Sequence, residues 1–194
     1  MNILYINATI KPNSRTNRLA QRVLGKLDGH IKEIVLTEEN IPPLDFATLE
    51  HRTSMINEYN FEDPIFYYAR EYASADTIVI AAPYWDLSFP AVLKNYIENI
   101  NIPELVFKYG EDEKPIGLCN AKDLIYITTA GGKITSDEYG YGYIKELAQK
   151  FHGIKNVHYI SAEKLDMRDS NIEEILQKAE NKIDKMFKSE NINE

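Results

Sequence analysis

The 194-residue chain is long enough for one domain with its own apolar core, without disulfides or metal to hold it together. Its formal net charge of -8 opposes a nucleic-acid backbone as partner. The single cysteine, Cys119, rules out an internal disulfide, no Cys/His group has zinc spacing, and no apolar run approaches the roughly 18 residues of a membrane span.

In chain order, "MNILYI" reads as a strand and not as a leader, because no basic segment precedes its apolar residues. The loop "NATIKPNSRTN" (Asn7–Asn17) follows, carrying Thr9, Ser14, Thr16 and Asn17. From Leu19, the residues Ala20, Val23, Leu24 and Leu27 repeat at helical spacing. "IKEIVL" (Ile31–Leu36) alternates as a half-exposed strand does, and "IPPLD" breaks the pattern. Residues 46–75 are ambiguous until the helical stretch "IFYYAREYASA". "TIVIAA" (Thr77–Ala82) is apolar throughout and β-branched, which predicts a central strand covered on both faces. "PYWDLSF" crosses to a helix with Pro90 as its first residue, carried by Val92, Leu93, Tyr96, Ile97 and Ile100. "DLIYITT" and "VHYISA" are two more strands, with a helix over Tyr143–Phe151 between them and an amphipathic helix over 171–188 after them. Residues 1–188 read as a single domain and 189–194 as a polar tail.

About five strands alternating with helices predict an α/β fold, a parallel sheet with helices on both faces and right-handed crossovers. Ligands of such sheets bind beyond the carboxyl ends of the strands. Three loops at that edge are unusual. The Asn7–Asn17 loop offers hydroxyls and free helix N–H groups, either as a phosphate site or as an ordinary helix cap. The Pro83–Leu87 segment holds the only tryptophan, which is either a core plug or a flat surface for a ligand. The "TTAGGK" loop lets backbone approach a ligand closely, or simply turns. Together they describe a flat ring tethered by a phosphate, which flavin mononucleotide (FMN) fits. Neither a G-x-G-x-x-G nor a Walker A lysine is present. The four histidines, His30, His51, His152 and His158, are not clustered, and structural or surface roles suit them, with His152 left open beside the pocket.

The residues "IPPLD", "APYWDLSFPAVLKNYIENI", "VFKYGED", "TTAGG" and "FHGI" make the chain resemble the FMN-dependent NAD(P)H azoreductase and quinone reductase family over most of its length. The resemblance implies a flavodoxin-like fold and a homodimer, and the absence of a disulfide suits a reducing cytoplasm. It implies an enzyme that takes hydride from NADH or NADPH and passes two electrons, by ping-pong transfer, to a quinone, azo or nitroaromatic compound. Its implied FMN contacts are Thr9, Ser14, Arg15 and Thr16 to the phosphate, with Tyr84, Trp85, Asp86, Leu87, Thr129, Ala130, Gly131 and Gly132 along the ring. Tyr109 and Phe151 match positions that border the substrate pocket, and no metal or protein acid–base residue is expected. Azoreductases usually carry "MYNF" where this chain has "YWDL"; the Tyr-Trp pair leans toward the quinone reductase branch, and Asp86 is a departure from the neutral residue of relatives. It either faces the ring or turns away to cap the helix beginning near Phe89, and capping is the preferred reading. The alternative to an enzyme is a flavodoxin-type electron carrier. A receiver-type signalling domain fits poorly, because Asn7, Ala8 and Pro83 stand where its acidic residues would be.

Overall fold

Strand β1 (Asn2–Asn7) is buried from Ile3 onward, as expected of a strand with neighbours on both edges and helices on both faces. The structure, a computed structural model, describes the backbone of residues 1–190 and the side chains of 1–188. Parallel to β1 run β2 (His30–Val35) on one edge and β3 (Thr77–Ala81) on the other. Then come β6 (Asp123–Thr129) and β7 (Asn156–Ala162), so the five parallel strands are ordered β2-β1-β3-β6-β7. The chain leaves β1 in one direction to reach β2 and returns past it to β3, and this reversal opens a crevice at the carboxyl ends. A short antiparallel hairpin, β4 (Phe107–Tyr109) with β5 (Pro115–Gly117), stands apart from the main sheet.

The period of two along each strand divides the core into halves. Leu4, Ile6, Ile78, Ile80, Leu124 and Tyr126 meet Tyr72 of α3 (Tyr67–Ser74), Leu93, Tyr96, Ile97 and Ile100 of α4 (Ala91–Ile100), and Ile144 of α5 (Tyr143–Leu147). Ile3, Tyr5, Val79, Ile125, Ile127 and Ile160 meet Leu19 and Val23 of α1 (Arg15–Leu24), and Leu176 and Ile183 of α6 (Ile172–Glu190). Each such aliphatic side chain contributes about 1.5–3 kcal/mol by leaving water. Fully apolar strands therefore become the interior of the sheet, and the half-polar "HIKEIV" becomes its edge.

Some expectations are corrected. The ambiguous stretch contains α2 (Phe46–Asn57), which buries no residue and is started by the Asp45 carboxylate accepting from Thr48 N. Helix α4 begins at Ala91 with Pro90 at its cap, one residue later than predicted. The helix expected over Tyr143–Phe151 is regular only over α5, with wider π-type turns at Glu138–Gly142 and Ala148–His152, ended by Gly153 at φ 78°. The last helix runs two residues into the tail expected over 189–194, and the remainder lies outside the described residues.

Candidate functional site

At the carboxyl edge the ladder continues past the strands. Ala8 N donates to Ala81 O (2.9 Å), Ala82 N to Ile127 O (3.0 Å), and Tyr84 N to Thr129 O (2.9 Å). These bonds bring the three loops against one another around a cleft of about 230 Å³. Ser14, Arg15, Thr16, Tyr84, Trp85, Thr129, Ala130 and Gly131 all line it.

One wall is the start of α1. Ser14 has extended backbone angles and its hydroxyl accepts from Asn17 N, so it caps the helix and also lines the cleft; the two readings of this loop are not exclusive. The first N–H groups of any helix lack intrahelical partners, and here they open beside Lys11 and Arg15. Thr16 and Thr129 pair their hydroxyls at 2.6 Å in a buried position. One hydroxyl donates to the other, which leaves a single O–H for a ligand.

A second wall is the turn after β3. Trp85 and Ser88 exchange both backbone bonds, Trp85 N to Ser88 O (3.1 Å) and Ser88 N to Trp85 O (2.7 Å), with Asp86 at φ 50° and Leu87 at φ 69° between them. This is a two-residue reversal whose central positions both have positive φ, a geometry that favours Asn-Gly. Trp85 is 43% exposed, so it is not a core plug. Asp86 does not cap α4: the cap residue is Pro90 and no side chain bonds there. The expected capping role is therefore overturned, because the reversal places the exposed Asp86 at its tip, four residues before the cap.

The third wall is the glycine loop. Ala130 O accepts from Leu165 N (3.1 Å), Gly131 O from Asp166 N (2.9 Å), and Gly132 O from Lys164 N (2.8 Å). Opposed N–H and C=O directions in a trans peptide turn the N–H groups of Gly131 and Gly132 away from this 164–166 segment. Neither N–H has a partner among the described residues. Leu165 and Asp166 also line the cleft, and the sequence reading missed both. The signal was available, because a fourth loop leaves the last strand at the same edge.

Other expected residues sit elsewhere. Thr9 is buried, and both its N–H and its hydroxyl donate to Asn7 Oδ1 (3.0 and 2.7 Å), so it shapes the loop from within. Asp86, Leu87 and Gly132 lie beside the cleft but not on its wall. Tyr109 and Phe151 are not on the wall either: both rings stand edge-on to Phe107, at 5.6 and 5.3 Å between centroids. His152 is buried, and desolvation lowers its pKa to about 3, so it is neutral. Burial raises the Cys119 thiol to about 12, which excludes thiolate chemistry at neutral pH. Among the described residues no cluster of His, Cys, Asp or Glu suits a metal, and no helix is long and apolar enough to cross a membrane.

Cations and helix N–H groups at one end, an exposed indole along one side and free glycine N–H groups opposite suit an elongated anion with a flat polar ring. Comparison with known proteins agrees with that chemistry. An FMN-dependent NADH:quinone oxidoreductase of Clostridium beijerinckii is 35% identical, the match covering 96% of this chain and 98% of the relative. One of Clostridium perfringens is 34% identical, covering 89% and 90%. Among solved structures, an azoreductase from Bacillus anthracis str. Sterne superposes with a TM-score of 0.82 at 21% identity, covering 96% of this chain and 98% of that one. An FMN-dependent NADH-azoreductase from Bacillus anthracis str. Ames Ancestor, in complex with FMN, does so at 0.79 and 23%, covering 97% and 98%. The family described as having a flavodoxin-like fold matches residues 1–187, and with that match over nearly the whole length, the chain belongs to this family.

Proposed function

We propose that this chain binds FMN without a covalent link and uses NADH to reduce quinones, with azo compounds as further acceptors. The observation that carries the reading is the convergence of the α1 start, Trp85 and the Ala130–Gly131 backbone on one cleft, in a chain 35% identical to an FMN-dependent NADH:quinone oxidoreductase. FMN, when bound, supplies the hydride and electron chemistry. The chain binds, orients and polarises.

In this reading the phosphate is held by Ser14, Arg15 and Thr16 with the first N–H groups of α1, a donor set matched to an anion. Tyr84 and Trp85 lie along the ring, and Asp86 and Leu87 fix the turn that presents them. The unpartnered N–H groups of Gly131 and, beside the cleft, Gly132 would be available to hold a polar, electron-accepting edge of the ring. Tyr109 and Phe151 border the acceptor from the hairpin side. Trp85 (43%), Leu87 (49%), Tyr109 (59%) and Tyr139 (56%) leave large apolar surfaces in water, which supports a symmetric dimer burying part of that surface. A cytoplasmic setting belongs to the same reading, since its electron donor is a pyridine nucleotide of the cell interior.

The test is a titration of purified protein with FMN, followed by steady-state oxidation of NADH, and separately NADPH, with a quinone present. Expected are roughly one flavin per chain, turnover that requires both substrates, and twice the chain mass by light scattering. Protein that stays colourless and takes up no flavin from excess FMN would refute the reading.

A further inference from the structure

The segment after β7 lines the cleft through Leu165 and Asp166, and Asp166 meets Arg15, the first residue of α1. Arg15 Nη1 donates to Asp166 Oδ1 at 2.6 Å and to Leu165 O at 3.3 Å. Asp166 also lies over the glycine loop: a Cβ on Gly131 would fall 2.4 Å from its Oδ2. The carboxylate therefore stands between the guanidinium and the Gly131 backbone, while Asp166 N donates to Gly131 O. Both of the Arg15 bonds use Nη1, so Nε and Nη2, with three N–H donors, have no partner among the described residues.

An unrestrained arginine loses rotamer entropy when it is fixed on a ligand. The Asp166 carboxylate and the Leu165 carbonyl fix one edge of the fork beforehand and leave the other free. Resting on the FMN reading above, we infer that Asp166 is a positioning residue: it holds Arg15 ready for the phosphate and so sets the preference for a phosphorylated flavin over an unphosphorylated one. The isoalloxazine ring is identical in the two flavins, so the effect is confined to the phosphate end. Asparagine keeps an oxygen acceptor for Nη1 and retains most of the effect, whereas alanine removes it.

The experiment measures dissociation constants for FMN and for riboflavin by flavin fluorescence, on wild type, Asp166→Ala, Asp166→Asn, Arg15→Ala and Arg15→Ala/Asp166→Ala, with thermal melts of each apoprotein. Expected is a weakening of FMN binding by about five-fold or more in Asp166→Ala, with riboflavin changed less than about two-fold. Asp166→Asn recovers most of the preference, and Asp166→Ala adds nothing once Arg15 is alanine. Equal weakening of both flavins, unchanged FMN binding, tighter FMN binding, or the same loss in the Arg15→Ala background would each overturn the inference. A wild type that binds neither flavin refutes the FMN reading itself, and the inference with it. A wild type that prefers FMN while Asp166→Ala keeps the whole preference refutes the inference alone.

Discussion

The Tyr72 hydroxyl and His152 Nδ1 lie 2.9 Å apart inside the core, and His152 Nε2 lies 2.8 Å from Asn101 Oδ1. Those partners assign the neutral tautomer, with Nε2–H donating to Asn101 and Nδ1 accepting from Tyr72. Protonation would reverse the Tyr72 bond, with Nδ1–H donating to the hydroxyl oxygen, and place a charge where water cannot reach it. The folded pKa, about 3, is below the unfolded value near 6.5, so the unfolded state binds more protons between them. Stability from this site is complete above about pH 6.5 and is lost as pH falls toward 3, at up to about 1.4 kcal/mol per pH unit. Urea titrations across that range are expected to fall more steeply for wild type than for His152→Gln, although the variant is less stable at pH 7. Parallel profiles would show that His152 is not the group responsible.

Leu87 holds φ 69° in a two-residue reversal and is half exposed, so it combines backbone strain with little burial. A non-glycine residue in this region costs roughly 1–2 kcal/mol. Leu87→Gly is expected to raise the thermal midpoint by about 2–4 °C in a chain of this size. A lower midpoint would mean that packing lost with the Leu87 side chain outweighs the relief of strain, and light scattering on the variant would test whether the proposed dimer uses that side chain.

Gly117 and Gly153 meet back to back. A Cβ on Gly117 would lie 2.1 Å from Gly153 N and 2.1 Å from His152 C, whereas one on Gly132 would meet nothing within 4 Å. Gly117→Ala must therefore push the β4–β5 hairpin off the turn that carries Phe151, at a cost of about 2 kcal/mol or more in urea unfolding. Gly132→Ala is the control and is expected to change stability by less than about 0.5 kcal/mol. If Tyr109 and Phe151 border the acceptor, Gly117→Ala also raises the KM for quinone and leaves that for NADH nearly unchanged.

Helix α1 is tied to α6 by Arg22 Nη2 to Asp184 Oδ2 (2.5 Å) and Lys26 Nζ to Asp184 Oδ1 (3.2 Å). The Arg22 hydrogen bond, with Lys26 beside it, lowers the Asp184 carboxyl to about 2. A depressed carboxylate stabilises the fold above its unfolded pKa near 3.9, and the gain is lost as pH falls toward 2. Asp184→Asn is expected to melt earlier than wild type at neutral pH and low salt. The gap should shrink in high salt and close near pH 2. A gap that persists at pH 2 would assign the effect to packing.

The sheet was legible because buried strands carry their burial in composition: "TIVIAA" and "DLIYITT" contain apolar residues on both faces. Helix α2 was not, because it has no fully buried residue and packs only Met55 and Ile56 part-way against the core, too little for a periodic apolar stripe. Ser14, Trp85 and Gly131 were legible as residues suited to a ligand edge. Asp86 was misread because its type suggests a cap, while the Trp85–Ser88 reversal is closed by main-chain bonds that no side chain announces. Asp166 stayed hidden for a related reason. Its loop has neither paired glycines nor clustered hydroxyls, and its place at the cleft comes from β7 lying next to β6.

Arg15 and Asp166 are 151 residues apart, and that separation sets a timetable for the nascent chain. The ribosome delivers β1 and β2 first, then β3 on the free side of β1, and then β6 and β7 outward from there. The sheet thus grows toward one flank, each new strand joining an edge already made. The loop carrying Asp166 follows the outermost strand, so the cleft is closed only after the whole sheet has been made, with α6 still to come. A chain interrupted just before residue 166 would hold all five strands of the sheet and an α1 start with no closing wall. A ligand that needs this wall would therefore be held only by chains made past residue 166.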